Sequence, residues 1–154
     1  LWTSPDSVLI GTGKRTNRQG VAALEDILHG MNVRTHTVEL PGGVQHLLGL
    51  VLIVDHNLAA VDTHRITPEI ESALQAHGIA TISIPPSDEL YGKRGMNGVV
   101  LGPREVVMPA DCPNIAKQMN DAGVTVHQVD VSAYIQAAGA LGCMTSILER
   151  DLLT

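Results

Sequence analysis

Residues 50–84 read LVLIVDHNLAAVDTHRITPEIESALQAHGIATISI and combine two short apolar runs, an amphipathic segment and a β-branched segment. The apolar runs have the length and composition of strands. Thr67 before Pro68 is a helix start signal, and Gly78 fits the left-handed position that ends a helix. The stretch therefore predicts strands at Leu50–Val54, Leu58–Asp62 and Ile79–Ile84, with a helix from Thr67 to His77.

The same order of segments occurs on both sides of this stretch, with a period of roughly fifty residues. The further predicted strands are 7–11, 33–40, 98–102, 106–109 and 124–129, and the further helices are 17–29 and 113–122. We therefore expect an α/β repeat in which neighbouring units bury each other's apolar faces. The predicted units are approximately 1–40, 47–84 and 98–130 of a single partial domain over 1–154, and a closing strand at 143–149 would open a fourth.

The composition favours a folded protein and excludes several functions. Hydrophobic residues make up 44% of the chain and charged residues 17%, which excludes intrinsic disorder. A net charge of −6 without a basic tract argues against nucleic acid and anionic membranes as partners. The longest apolar run, 47–54, is too short to span a membrane, and no signal peptide is visible. We expect a cytoplasmic protein, and its first residue, Leu rather than Met, suggests a processed chain or a fragment.

The composition also predicts which residues form the core and which role the cysteines have. The chain has no Phe, so we expect a core of aliphatic residues and Met. Cys112 and Cys143 belong to no CxxC or Cys/His ligand pattern, so neither a zinc site nor a disulfide is expected. Cys112, beside Pro113 at a predicted helix start, is interpreted as structural.

Two connecting segments carry reactive side chains directly before an apolar run. His46 stands four residues after Gly42, and Cys143 stands four residues after Gly139. Asn97 precedes the opening strand of the third unit in a similar way. If the units surround an axis, equivalent connections converge, and these three side chains line one pocket. A thiolate is a nucleophile and an imidazole transfers protons near neutral pH, so the pair indicates covalent catalysis.

The loop at 11–20, GTGKRTNRQG, lacks the glycine spacing of the nucleotide-binding motifs. Arg15 stands just before the first predicted helix, where its guanidinium could pair with a substrate carboxylate. The alternative interpretation is a basic turn that is only solvated.

Together these segments resemble a family of guanidino-group-modifying enzymes that includes dimethylarginine dimethylaminohydrolase, arginine deiminase and the amidinotransferases. The GTGKRTNRQG turn is the most specific element, and the loops with His46 and Cys143 follow it in the family's order. The resemblance implies the pentein fold, an α/β propeller of five ββαβ units. The chain would hold about three of these units and one strand, as the family's C-terminal part.

The resemblance also implies a chemistry. Cys143 would be the nucleophile, His46 the general acid and base, and Arg15 the contact for the substrate α-carboxylate, with Asn97 as a further substrate-binding candidate. Arginine or an N-methylated arginine would be hydrolysed to citrulline and ammonia or an amine through an S-alkylthiouronium, without metal or cofactor. The family's acidic guanidinium-binding residues would come from a missing N-terminal portion or a companion chain. The alternatives are an amidinotransferase and a non-catalytic pentein-like binding module.

Overall fold

A computed structural model describes residues 1–148 and contains three successive ββαβ motifs, each with a three-stranded sheet. Motif 1 comprises β1 (Trp2–Ser4), β2 (Ser7–Thr12), α1 (Arg18–Gly30) and β3 (Arg34–Glu39). Motif 2 comprises β4 (Val51–Asp55), β5 (Leu58–Asp62), α2 (Pro68–Ala76) and β6 (Ala80–Ile84). After the short helix α3 (Asp88–Tyr91), motif 3 comprises β7 (Val99–Gly102), β8 (Glu105–Pro109), α4 (Pro113–Asp121) and β9 (Thr125–Val129). The short helices α5 (Ser132–Gln136) and α6 (Leu141–Met144) follow.

The three sheets have the same topology. In each, the first two strands form an antiparallel pair, and the third strand runs parallel to the second. The predicted α/β order is confirmed, and the ends of α1, α2, α4 and of the strands β2 to β9 differ from the prediction by at most one residue, whereas the short helix α3 was not predicted. The strand β1 was not predicted, and it gives motif 1 the same element order as the other two motifs.

The closing strand predicted over 143–149 is not formed within the described residues. Leu141–Met144 is helical, residues 145–148 have no regular structure, and position 149 lies outside the described residues. A short apolar run fits either a helix or a strand, so periodicity alone could not decide between them. Here the N–H of Gly142 donates to the side chain of Asn97 rather than to a neighbouring strand.

The core lies between the motifs as well as within them. In β2, Val8 and Ile10 pack against α1, while Leu9 lies in a second cluster to which α2 contributes Ile70 and Leu74. Alternate residues of one strand therefore face their own helix and the helix of the next motif. Among residues 1–148 the buried hydrophobic side chains are aliphatic, Met or Cys, so the predicted core without aromatic residues is confirmed. No helix in this range is long and apolar enough to cross a bilayer.

The start of α4 depends on a buried carboxylate from α3. The residue before the helix, Cys112, makes no capping side-chain hydrogen bond. Instead, Glu89 accepts hydrogen bonds from the backbone N–H groups of Asn114 and Ile115 and from the Asn114 side chain, at 2.6 to 3.3 Å. A carboxylate at this position satisfies N–H groups that have no partner within the helix and interacts favourably with the helix dipole.

We expect Glu89→Ala to lower the free energy of unfolding by about 2 kcal/mol, because the N–H donors of α4 lose their buried acceptor. Urea denaturation followed by circular dichroism measures the change. The matched control is Glu71→Ala, which removes an exposed carboxylate from α2 and should change stability by at most about 0.5 kcal/mol. Equal effects of the two substitutions would contradict the capping role.

Candidate active site

A cavity of about 800 Å³ lies where connections from all three motifs meet. All four residues selected from the sequence, Arg15, His46, Asn97 and Cys143, line it. They come from the β2–α1 loop, the segment before β4, the segment before β7, and α6. The structure thus brings together side chains that are far apart in the chain, as the converging connections predicted, while their chemical roles remain predictions.

The Cys143 thiol is exposed toward this cavity. Its Sγ accepts a hydrogen bond from Asn97 Nδ2 at 3.1 Å, and the neighbouring Gly142 N–H donates to Asn97 Oδ1 at 2.8 Å. The sulfur is therefore accessible to a small ligand and is held by a neutral donor. An accessible sulfur that is held in this way suits a nucleophile.

His46 stands directly before a 3-10 turn, Leu47–Gly49, with its backbone extended. The buried side chain of Leu47 anchors the turn, so the exposed His46 is held at the cavity wall. Its imidazole has no hydrogen-bond partner among residues 1–148. An unengaged imidazole in a cavity is free to accept or to donate a proton.

Arg15 connects the first motif to the His46 segment, since its Nη2 donates to Gln45 Oε1 at 3.2 Å. Arg65 and Arg94 also line the cavity, whereas none of the described lining residues is Asp or Glu. The cavity wall formed by residues 1–148 is therefore cationic. Such a wall favours a ligand that carries a carboxylate.

A buried carboxylate holds one wall of the cavity in place. The Asp62 side chain, fully buried at the end of β5, accepts from Arg65 Nε at 2.6 Å and from the Tyr91 hydroxyl at 3.2 Å. The Arg65 guanidinium also lies 4.2 Å from the centroid of the Tyr91 ring. Burial raises the pKa of Tyr91, and the charge of Asp62 raises it further, so this hydroxyl remains a proton donor to the carboxylate.

Sequence reasoning missed this group because Arg65 and Tyr91 are far apart in the chain and belong to no recognised motif. The sequence signal that points to it is Asp62 itself, a charged residue that ends the apolar run LAAVD. A charge in such a position is rarely buried without a partner.

The second cysteine, Cys112, differs from Cys143 in its exposure to solvent. Cys112 is buried, and its Sγ lies within hydrogen-bond reach of the carbonyls of Glu89 and Ala110. Burial, with the nearby charge of Glu89 as the next cause, raises the pKa of the Cys112 thiol to about 11. These observations agree with the structural role that the sequence suggested.

We expect iodoacetamide at pH 8 to add one alkyl group per chain, at Cys143. Cys112 stays protonated at this pH because its pKa is about 11, and burial also shields its sulfur from the reagent. Intact-mass measurement and peptide mapping identify the modified residue, and Cys143→Ser serves as the control that should remain unlabelled. Rapid labelling of Cys112 in the folded chain would contradict this difference.

The chain is similar in sequence to a known enzyme over about half of that enzyme's length. No protein-family model matches it. The N(G),N(G)-dimethylarginine dimethylaminohydrolase of Pseudomonas aeruginosa is 29% identical over 140 residues, which cover 91% of this chain and 51% of that protein. The match thus includes nearly all of this chain, which spans about half the length of its curated relative.

Solved structures of known enzymes have a similar fold. A cysteine-to-serine mutant of the Pseudomonas aeruginosa enzyme, complexed with citrulline, matches with a TM-score of 0.72 and 27% identity, covering 91% of this chain and 51% of that one. An amidinotransferase from the saxitoxin biosynthetic pathway of Microseira wollei matches with a TM-score of 0.78 and 16% identity, covering 96% of this chain and 46% of that one, and shows the fold alone. Over the residues that it spans, the chain is thus similar in sequence and fold to a dimethylarginine dimethylaminohydrolase and shares its fold with an amidinotransferase, in agreement with the resemblance of its motifs.

Proposed function

We propose that this chain forms part of an enzyme that hydrolyses arginine or an N-methylated arginine to citrulline and ammonia or an amine. The observation that carries the proposal is that Cys143 and His46, from distant connections, line one cavity with Arg15. The similarity to a dimethylarginine dimethylaminohydrolase supports this substrate class, as does the related mutant enzyme complexed with citrulline.

The proposed reaction has two covalent steps. The Cys143 thiolate attacks the central carbon of the substrate guanidinium, and a C–S bond forms. Protonated His46 donates its proton to the departing nitrogen as the C–N bond breaks, which leaves an S-alkylthiouronium. His46 then takes a proton from water, whose oxygen bonds to the same carbon. The C–S bond breaks, the thiolate is regenerated, and the former water oxygen loses its remaining proton to solvent as the ureido product forms.

The charges of the cavity agree with an amino-acid substrate. Arg15 is hydrogen-bonded to the neutral Gln45, so its positive charge remains available to the substrate α-carboxylate. Arg65, in contrast, is already paired with Asp62. Because no acidic residue lines the described cavity wall, we propose that a further portion of the enzyme supplies the carboxylates that bind the guanidinium.

An exposed apolar surface on α1 supports the existence of that portion. The three main helices are each followed by a residue with positive φ, namely Asn32, Gly78 and Gly123. Eight positions earlier, Ile70 is 0% and Ile115 is 2% exposed, and the helices that carry them, α2 and α4, pack against β3 and β6 of the preceding motif. The equivalent Leu24 of α1 is 40% exposed, and Ile27 and Met31 beside it are 63% exposed.

We therefore propose that another unit of the same kind covers α1. It would belong to an N-terminal portion of the same polypeptide or to a companion chain, and it would continue the propeller of five units. Burying Leu24, Ile27 and Met31 would add apolar contact at this interface, as burial does between the described motifs.

The substrate proposal predicts that the native protein, with any chain that copurifies, releases citrulline from arginine or an N-methylated arginine. Cys143→Ser should lower turnover by about a thousandfold or more, because it removes the attacking thiolate. Cys112→Ala, the control, should retain turnover. Citrulline is followed by mass spectrometry, with and without glycine as an acceptor.

Two results would replace the hydrolase with one of the alternatives. Glycine-dependent formation of ornithine in place of citrulline would indicate an amidinotransferase. No turnover, together with no covalent labelling of Cys143 by a haloacetamidine, would indicate a non-catalytic binding module. Labelling that is lost in His46→Ala would favour the proposed pair of residues.

For the α1 surface we expect Leu24→Glu combined with Ile27→Glu to abolish association with a separately expressed N-terminal portion. Introducing charges into an apolar interface costs several kcal/mol of association free energy. Both side chains are exposed in this chain, so their substitution should leave its fold intact. The matched control, Ala22→Glu, changes an exposed residue on a different side of the same helix. Analytical ultracentrifugation measures the association. A 154-residue chain that alone is monomeric, compact and active on arginine derivatives would overturn the proposal.

A further inference from the structure

The side-chain amide of Asn97 contacts the two residues on which the position of the thiol depends. Its Oδ1 accepts from the backbone N–H of Gly142 at 2.8 Å, and its Nδ2 donates to Cys143 Sγ at 3.1 Å. One planar group therefore holds both the backbone before the cysteine and the sulfur itself. Among residues 1–148, no other side chain makes a hydrogen bond to that sulfur.

The orientation of this amide follows from chemistry. A backbone N–H can only donate, so the atom of Asn97 that faces Gly142 has to be the oxygen. The NH2 end is thereby directed at Sγ. The opposite orientation would place two donors against each other at Gly142 and leave the sulfur facing a carbonyl-type oxygen.

The glycines near Asn97, Gly95 and Gly98, are closely packed against the surrounding residues. A Cβ on Gly95 would lie 2.6 Å from Ile115 Cδ1 and 3.0 Å from the Glu89 carbonyl oxygen, and a Cβ on Gly98 would lie 2.7 Å from the Val107 carbonyl oxygen. Asn97 therefore sits on a segment packed tightly against motif 3. This packing fixes the position of the backbone from which the Asn97 amide reaches Gly142 and Cys143.

The segment that carries the cysteine is anchored less well. The helix α6 spans only Leu141–Met144, and the residue before it, Ala140, makes no capping side-chain hydrogen bond. A Cβ on Gly142 would lie 2.6 Å from Leu48 Cδ2 and 3.0 Å from Asn97 Oδ1, so the glycine backbone lies directly against these two side chains. The contact with Asn97 thus links the short helix α6 to the closely packed segment that precedes β7.

We propose that Asn97 is a positioning residue, which places the Cys143 sulfur in the cavity and stabilises its thiolate form through the Nδ2–H···Sγ hydrogen bond. The inference rests on the proposed role of Cys143 as nucleophile, and the substrate contact predicted for Asn97 from the sequence stays a prediction beside it. A thiol is a weak acceptor and a thiolate a strong one, so an N–H group directed at the sulfur favours the charged form. The donor is neutral, and among residues 1–148 no charged or titratable group that lines the cavity makes a hydrogen bond to Sγ; these groups are Arg15, His46, Arg65, Tyr91 and Arg94.

The test is the pH dependence of Cys143 alkylation by iodoacetamide, which requires neither substrate nor turnover. Asn97→Asp keeps an oxygen for the Gly142 N–H but replaces the donor at the sulfur with a negative charge. Asn97→Ala removes both side-chain contacts and leaves the longer hydrogen bond, 3.4 Å, from the Gly142 N–H to the Asn97 carbonyl oxygen. We expect the pH of half-maximal labelling to rise by about one unit or more in both variants, with the larger rise in Asn97→Asp.

Asn120→Asp is the control, since it adds the same charge at an exposed position of α4 that does not line the cavity. Its labelling midpoint should match that of the wild-type protein. Peptide mapping confines the measurement to Cys143, and circular dichroism establishes that each variant is folded. If Asn97→Ala fails to fold, the nearly isosteric and uncharged Asn97→Leu decides the question, because a carboxylate at this position raises the midpoint by its charge alone.

The outcomes separate this inference from the proposed function. A midpoint of the folded, uncharged variant, Asn97→Ala or Asn97→Leu, that coincides with the wild-type value would overturn the positioning role, even if Asn97→Asp raises the midpoint and the enzyme hydrolyses arginine derivatives. A slower reaction with an unchanged midpoint would mean that Asn97 only supports the loop, and it would also overturn the proposal. A raised midpoint without any turnover would support the role of Asn97 while the substrate proposal fails.

Discussion

The arrangement of the molecule depends on one constraint, which is that each three-stranded sheet has apolar side chains on both faces. In motifs 1 and 2 the motif's own helix covers one face, and the helix of the next motif covers the other, as Leu9 packed with Ile70 and Leu74 illustrates. A motif of this size therefore cannot bury its apolar surface alone. Packing between neighbours fixes the relative positions of the connections that carry Arg15 and His46, and it is through this packing that the cavity forms.

Most of this architecture was predictable from the sequence, because the same order of segments occurs three times and the helix start and stop signals are clear. Thr67 with Pro68 at the start of α2 and Gly78 at its end mark boundaries that local chemistry determines. The segment after residue 140 was assigned wrongly for a physical reason. Its conformation depends on a hydrogen bond from Gly142 to Asn97, a contact over 45 residues that no local pattern reveals.

The candidate site was predictable in part for the same reasons. The repeat alone predicted that side chains at equivalent points, such as His46 and Cys143, line one cavity. Arg65 and Tyr91 could not be predicted as cavity residues, because they are held there by a shared buried partner, Asp62. Burial is a tertiary property that the sequence does not show. The sequence likewise marked Asn97 as a candidate but did not reveal that its amide is oriented by Gly142.

The distribution of the reactive groups over separate motifs limits when chemistry can occur. No single motif contains both the sulfur and the imidazole, since His46 follows motif 1 and Cys143 follows motif 3. A nascent or partly unravelled chain therefore carries an ordinary thiol and an ordinary imidazole that do not act as a pair. On the proposed function, reactivity toward a guanidine would therefore require the folded chain, in which the two side chains line one cavity.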